Sequence, residues 1–284
     1  MVLELITNSF KLRYKPYLMF FEAIILTILS IFFAIKLFPG KFSSIALLAF
    51  LTIGALPLFN KLYSYDSYIS NYSKPFFVRH KKIISLLLFF FVGILFTFVC
   101  ASFVLGENTS NQIFSAQLEE IEKIDSLRSN ITGNLVLDDV SNVKFREVFG
   151  IIFKNNLFVV FAAIILSFFY GAGGQFLIVW NASLLSTVIV NYISSIVVGT
   201  GFQATLHGAK HGLLSFIGFI PHGLFEVLAY FAAGLAGAIF ARDLFKGIFS
   251  TPFKWHATKD FLYLFLFALI CLLIGALIEA SYFV

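Results

Sequence analysis

Residues 83–105 read IISLLLFFFVGILFTFVCASFVL, twenty-three consecutive positions without a single charge. An α-helix rises about 1.5 Å per residue, so this run reaches about 35 Å, enough to cross the roughly 30 Å hydrocarbon core of a bilayer. A surface helix of a water-soluble domain carries charges on one face, and here neither face has any. Lipid offers the backbone no hydrogen-bond partner, so a stretch like this one spans as a helix, in which every peptide group pairs internally.

Working outward, six further segments meet the same criterion. The seven candidate spans are Tyr17 to Phe38, Ser43 to Phe59, Ile83 to Leu105, Asn155 to Gly174, Gln175 to Val198, Pro221 to Ala241 and Phe261 to Tyr282. Composition agrees. Hydrophobic residues make up 60% of the 284 positions and charged residues 12%, against about 25% charged in soluble domains, so too few polar side chains exist to coat the molecule in water. The fold class expected is all-α, a polytopic transmembrane bundle of about seven spans with a bilayer for its solvent.

The net charge of +5 does not point to nucleic acid, because the basic residues lie in short blocks between apolar runs and interleave with no aromatics along a groove. They read instead as topology signals. Lys11, Arg13 and Lys15 precede the first span, Lys61, Lys74, Arg79, Lys81 and Lys82 follow the second, and Arg242, Lys246, Lys254 and Lys259 follow the sixth. Retention of Lys and Arg in the cytoplasm puts these three segments and the N-terminus inside, and Val284 outside, of a cell membrane. The loop from Gly106 to Gly150, with eight acids against four bases and N-x-S/T sequons at Asn108 and Asn130, is then external. Within it Ile113 to Leu127 has the pattern of a short amphipathic helix, read either as a solvated loop helix or as a docking surface. The first fifteen residues lack a small-residue cleavage site and are expected to be retained. Cys100 and Cys271 sit in apolar runs and have no metal-ligand or disulfide spacing.

Three parts follow: a three-span N-terminal module (1–105) rich in Phe, Leu and Ile, the acidic external loop (106–150), and a four-span domain (151–284) richer in Gly, Ala, Asn, Ser and His. Small residues let helices approach closely, and polar ones bond across them, so any site is expected in the last part. The stretch 199–220, with Gly199, Gly201, Gly208, Gly212 and Gly218 among His207, Lys210 and His211, is too polar for a lipid-facing span. It is read as external or re-entrant, a choice the sequence leaves open. Pro221 suits the first turn of the sixth span, and His222 and Glu226 then share a face at i, i+4.

Counting helix rise places His222, Glu226, Glu279, Asn155, Asn156 and Asn191 in one layer near the outer leaflet. These six form the candidate polar intramembrane site, since an acid within the membrane normally faces the bundle and pairs. It is read as a structural knot, a proton, ion or solute site, or a catalytic site. A metal would recruit His207, His211, His222 and Glu226, but only the first two have tight ligand spacing and H-E-x-x-H is absent. No cofactor is required, and no nucleophile elbow, P-loop or dinucleotide fingerprint occurs.

Several of these residues, in order, carry a family resemblance: Asn155-Asn156 opening a span, the turn Gly171-Ala172-Gly173-Gly174, Asn181, Pro221-His222-Gly223 with Glu226, the run Ala232 to Gly237, and Ala276-Leu277-Ile278-Glu279-Ala280. Over residues 145–284 the chain resembles the stage II sporulation protein M family. The resemblance implies a multipass membrane protein that, in spore formers, acts with other membrane proteins to place cell-wall hydrolases during engulfment, and no established enzyme class. The function expected is a non-catalytic scaffold or assembly partner for membrane or envelope proteins, with a homo-oligomer among its conceivable partners. The alternatives are an outward-facing ion or small-solute transporter and a metal-dependent intramembrane hydrolase.

Overall fold

The computed structural model describes residues 15–69, 76–133, 140–196, 222–241, 244 and 251–281. Among them every regular element is an α-helix: α1 (Leu18–Leu37), α2 (Phe42–Ile69), α3 (Phe76–Val104), α4 (Glu107–Ile113), α5 (Ser115–Gly133), α6 (Val140–Tyr170), α7 (Gln175–Ile196), α8 (His222–Ala241) and α9 (Thr251–Ser281). Seven of these are long and apolar enough to span a membrane, all but α4 and α5. The protein is a multi-pass α-helical membrane protein. The segment 199–220, with His207 and His211, lies outside the described residues, as do both termini and most of the loop after α8.

Two spans differ from the expected bounds. The second continues to Ile69, because Pro57 within α2 deletes one backbone donor without ending the helix. The fourth begins with α6 at Val140, and its apolar window already opens at Phe145, so Asn155 and Asn156 lie inside a helix and do not open one. The charges of Arg146, Glu147 and Lys154 hide that longer helix from a hydropathy reading.

Helix α8 is the centre of the bundle, with 72% of its span buried against 22–56% for the other six. Its small residues explain this. A Cβ on Gly237 would overlap the Ile164 carbonyl of α6, and Gly234 packs beside Ser167 and Gly174. Aromatic contacts complete the cage: Phe231 meets Phe91 of α3 edge-on at 6.1 Å, and Phe240 lies 5.1 Å from Phe261 of α9. On the periphery α1 packs against α2 and α3, with Gly93 of α3 admitting the Phe20 carbonyl and Ala23, while Phe21, Ile25, Ile28 and Phe32 face outward to lipid.

The turn between α6 and α7 is read from the side by α2. Gly171 has φ +68, and its amide neighbour Ala172 donates to the Asn60 side-chain oxygen at 2.7 Å. A Cβ at Gly171 would overlap that same oxygen, so glycine is required for conformation and for space together. Gln175, opening α7, donates to the Tyr63 hydroxyl at 2.7 Å. The Gly174 amide turns back to the Ser167 hydroxyl at 2.9 Å.

At the opposite end of α2, the segment after α3 folds back into the bundle. Ile113 and Phe114, at the corner between α4 and α5, are buried, and Phe114 meets Phe98 edge-on at 5.4 Å. Phe98 lies six residues before Val104, so the corner descends about 9 Å along α3. Gln117 is fully buried there, accepting from Ser44 of α2 at 2.9 Å and donating to Ser183 of α7 at 3.0 Å. Gln112 donates to Ser43 at 2.9 Å. The α4–α5 corner is thus a polar-stitched wedge, with Glu107, Asn108 and Asn111 exposed before it and Glu119, Glu122 and Lys123 exposed beyond it along α5.

Candidate functional site

The wall of the site is set by α9. Gly275 has no side chain, and a Cβ there would stand 3.2 Å from Cγ of Glu226 and 3.3 Å from the carbonyl oxygen of His222. Helices α8 and α9 therefore approach along their backbones at this level. Glu279, one turn after Gly275, reaches across the same crossing and its carboxyl hydrogen-bonds that of Glu226.

Helix α6 supplies the third wall. Asn156 donates its side-chain amide to Glu226 Oε1 at 2.5 Å and accepts from the Tyr230 hydroxyl at 2.9 Å. Tyr230 is one turn below Glu226 on α8, so a single asparagine closes a ring with two residues of the same helix face. The chain runs Tyr230 to Asn156 to Glu226 to Glu279 and ties three helices. Desolvation drives it: an acid among apolar helices is costly unless its oxygens find donors. His222 is buried one turn above Glu226, with its backbone against Gly275.

Of the six candidate site residues, the bundle brings Asn156, Glu226 and Glu279 into direct contact and sets His222 beside them. Asn155 is exposed, because the 100° step between neighbours on a helix turns it away from α8. Asn191 is exposed on α7, and among the described residues no hydrogen bond joins it to the cluster. Among the described residues no three His, Cys, Asp or Glu side chains group as a metal site, and His207 and His211 lie outside that description.

A second buried ionisable pair went unread in the sequence. His80, at the start of α3, faces Asp260 of α9 with Nε2 and Oδ2 3.6 Å apart, both almost fully buried. Its signal was hidden by position: each residue sits at the edge of a basic loop, where a charge looks solvated. The pair lies at the α2–α3 loop side of the membrane, and the Glu226 cluster near the opposite side.

Six apolar spans around a seventh, the buried small-residue helix α8, with carboxyls side by side inside the bundle, define a polytopic membrane protein with a polar intramembrane cluster. The family model of stage II sporulation protein M matches residues 86–282, and the chain belongs to that family. The match starts within α3 and reaches further toward the N-terminus than the residues that carry the resemblance by eye. No match was found among curated proteins or among solved structures.

Proposed function

We propose that the protein is a non-catalytic membrane scaffold, an assembly partner for other membrane or envelope proteins, in which the Asn156–Glu226–Tyr230–Glu279 ring fixes the bundle's shape. The observation that carries this reading is the mutual satisfaction of the cluster: Asn156 uses both ends of its amide on α8, and Glu226 takes Asn156 on one side and Glu279 on the other. Groups that satisfy one another across helices hold a geometry, and α5, whose base is stitched into the bundle by Gln117, presents a fixed polar face beyond the membrane for a partner.

The test is Glu226→Gln, examined for folding in detergent and for complementation in cells. Gln keeps the acceptor for Asn156 and offers a donor to Glu279 but has no titratable proton. A folded and fully active variant supports the scaffold. A folded but inactive one overturns it in favour of a second reading, an outward-facing ion or small-solute transporter, for which the adjacency of two acids, Glu226 and Glu279, within the spans speaks.

A further inference from the structure

Between α3, α8 and α9 runs a half-open groove of about 330 Å³, lined by Lys81, Ser85 and Leu88 of α3, Leu228 and Phe231 of α8, and Phe267 of α9. On α3 these positions follow one another at steps of four and three, a single stripe along one face. The stripe is set by its neighbour: His80 is turned inward onto Asp260, so the next residue, Lys81, comes round by 100° to the groove mouth and is exposed there. Beyond it the lining is apolar and the floor, with Phe231 against Phe91, is closed.

Two conditions then define the occupant. The groove opens laterally from a bundle of membrane spans, at a depth where hydrocarbon replaces water, so a hydrocarbon chain fills it. Its polar end coincides with the start of the apolar window of α3 at His80, which is the level of lipid headgroups, and the group offered there is an ammonium. A net negative headgroup meets that ammonium without the competing cation that a zwitterionic headgroup brings with it. We propose that this groove binds an anionic phospholipid, with an acyl chain laid along Leu88, Leu228, Phe231 and Phe267 and the phosphate on Lys81.

The full chain, purified in detergent, is titrated with dioleoyl phosphatidylglycerol and dioleoyl phosphatidylcholine and bound lipids are counted by native mass spectrometry. The anionic lipid is expected to bind about fivefold tighter, the factor that one lysine near a membrane surface supplies. Lys81→Gln should abolish that preference while leaving phosphatidylcholine binding unchanged, and Lys61→Gln, an exposed lysine on the same side but off the groove, should keep it. Ser85→Trp, which fills the groove, should weaken retention of both lipids at this site. Equal binding of the two lipids by the unaltered protein, a preference that survives Lys81→Gln, or unchanged binding in Ser85→Trp would each overturn the proposal. So would displacement of the lipid by excess glycerol phosphate, because that result would assign the site to a free anion without a chain.

Discussion

Glu226 of α8 and Glu279 of α9 meet carboxyl to carboxyl one helical turn from Gly275, the residue whose missing side chain lets the two helices close. The glycine and the acid are thus parts of one device: separate the backbones and the carboxyls cannot reach one another. Gly275→Leu should force α8 and α9 apart and lower stability by about 1–3 kcal/mol, the usual cost of overpacking. Thermal unfolding in detergent measures it. A cysteine pair at 226 and 279 should crosslink in the parent background and fail to do so with Leu at 275; unchanged crosslinking would separate the glycine from the contact.

Asn60 is the residue by which α2 recognises the turn between α6 and α7. Its side-chain oxygen accepts from Ala172 N at 2.7 Å and lies where a Gly171 side chain would be. Asn60→Ala leaves that amide without its acceptor, at a cost of about 1–3 kcal/mol. Tyr63→Phe likewise takes the acceptor from the buried Gln175 amide and should cost a similar amount. An unchanged midpoint for Asn60→Ala in thermal unfolding would show that Asn60 does not hold the turn.

The wedge at the α4–α5 corner and the orientation of the chain are tested together by labelling. In a background with Cys100 and Cys271 replaced by alanine, a cysteine at Ile113 should be shielded from a membrane-impermeant maleimide, because Ile113 is fully buried, whereas one at Glu122 should react. Reaction of Glu122→Cys in intact cells would place α5 outside, as the loop charges lead one to expect, and reaction only after permeabilisation would invert the chain. Gln117→Leu should expose position 113, since it unties Ser44 from Ser183.

The spans were legible because lipid imposes one simple rule, about twenty apolar residues per crossing, and residues 83–105 satisfy it with no competing signal. The common depth of Asn156, Glu226 and Glu279 was legible for the same reason, since helix rise converts residue number into height. What the count could not give was azimuth: Asn155 and Asn156 have equal claims by depth, and only the packing of α6 on α8 decides that the second turns inward. The wedge was illegible for a different reason. Ile113 to Leu127 reads as a solvated loop helix or a docking surface because its polar groups look as if they need water, and the serines that take the place of that water at Gln117, Ser44 and Ser183, are far away in sequence. His80 and Asp260 were hidden likewise, each appearing beside a basic loop until the fold joined them.

A double-mutant cycle at 226 and 279 decides how much of the cluster's strength lies in the contact between the two acids. Glu226→Gln keeps an acceptor for Asn156 and sets an amide against Glu279, so its cost should stay within about 1 kcal/mol. Glu226→Leu takes the acceptor from the buried Asn156 amide and removes the contact to Glu279, and should cost about 1–3 kcal/mol. If the two acids bond directly, the cycle of Glu226→Leu with Glu279→Leu should show a coupling of about 0.5–3 kcal/mol, the double variant losing less than the sum because it leaves neither acid stranded. Strict additivity in thermal unfolding would show that each acid finds a separate partner, and the ring described for α6, α8 and α9 would lose its fourth member.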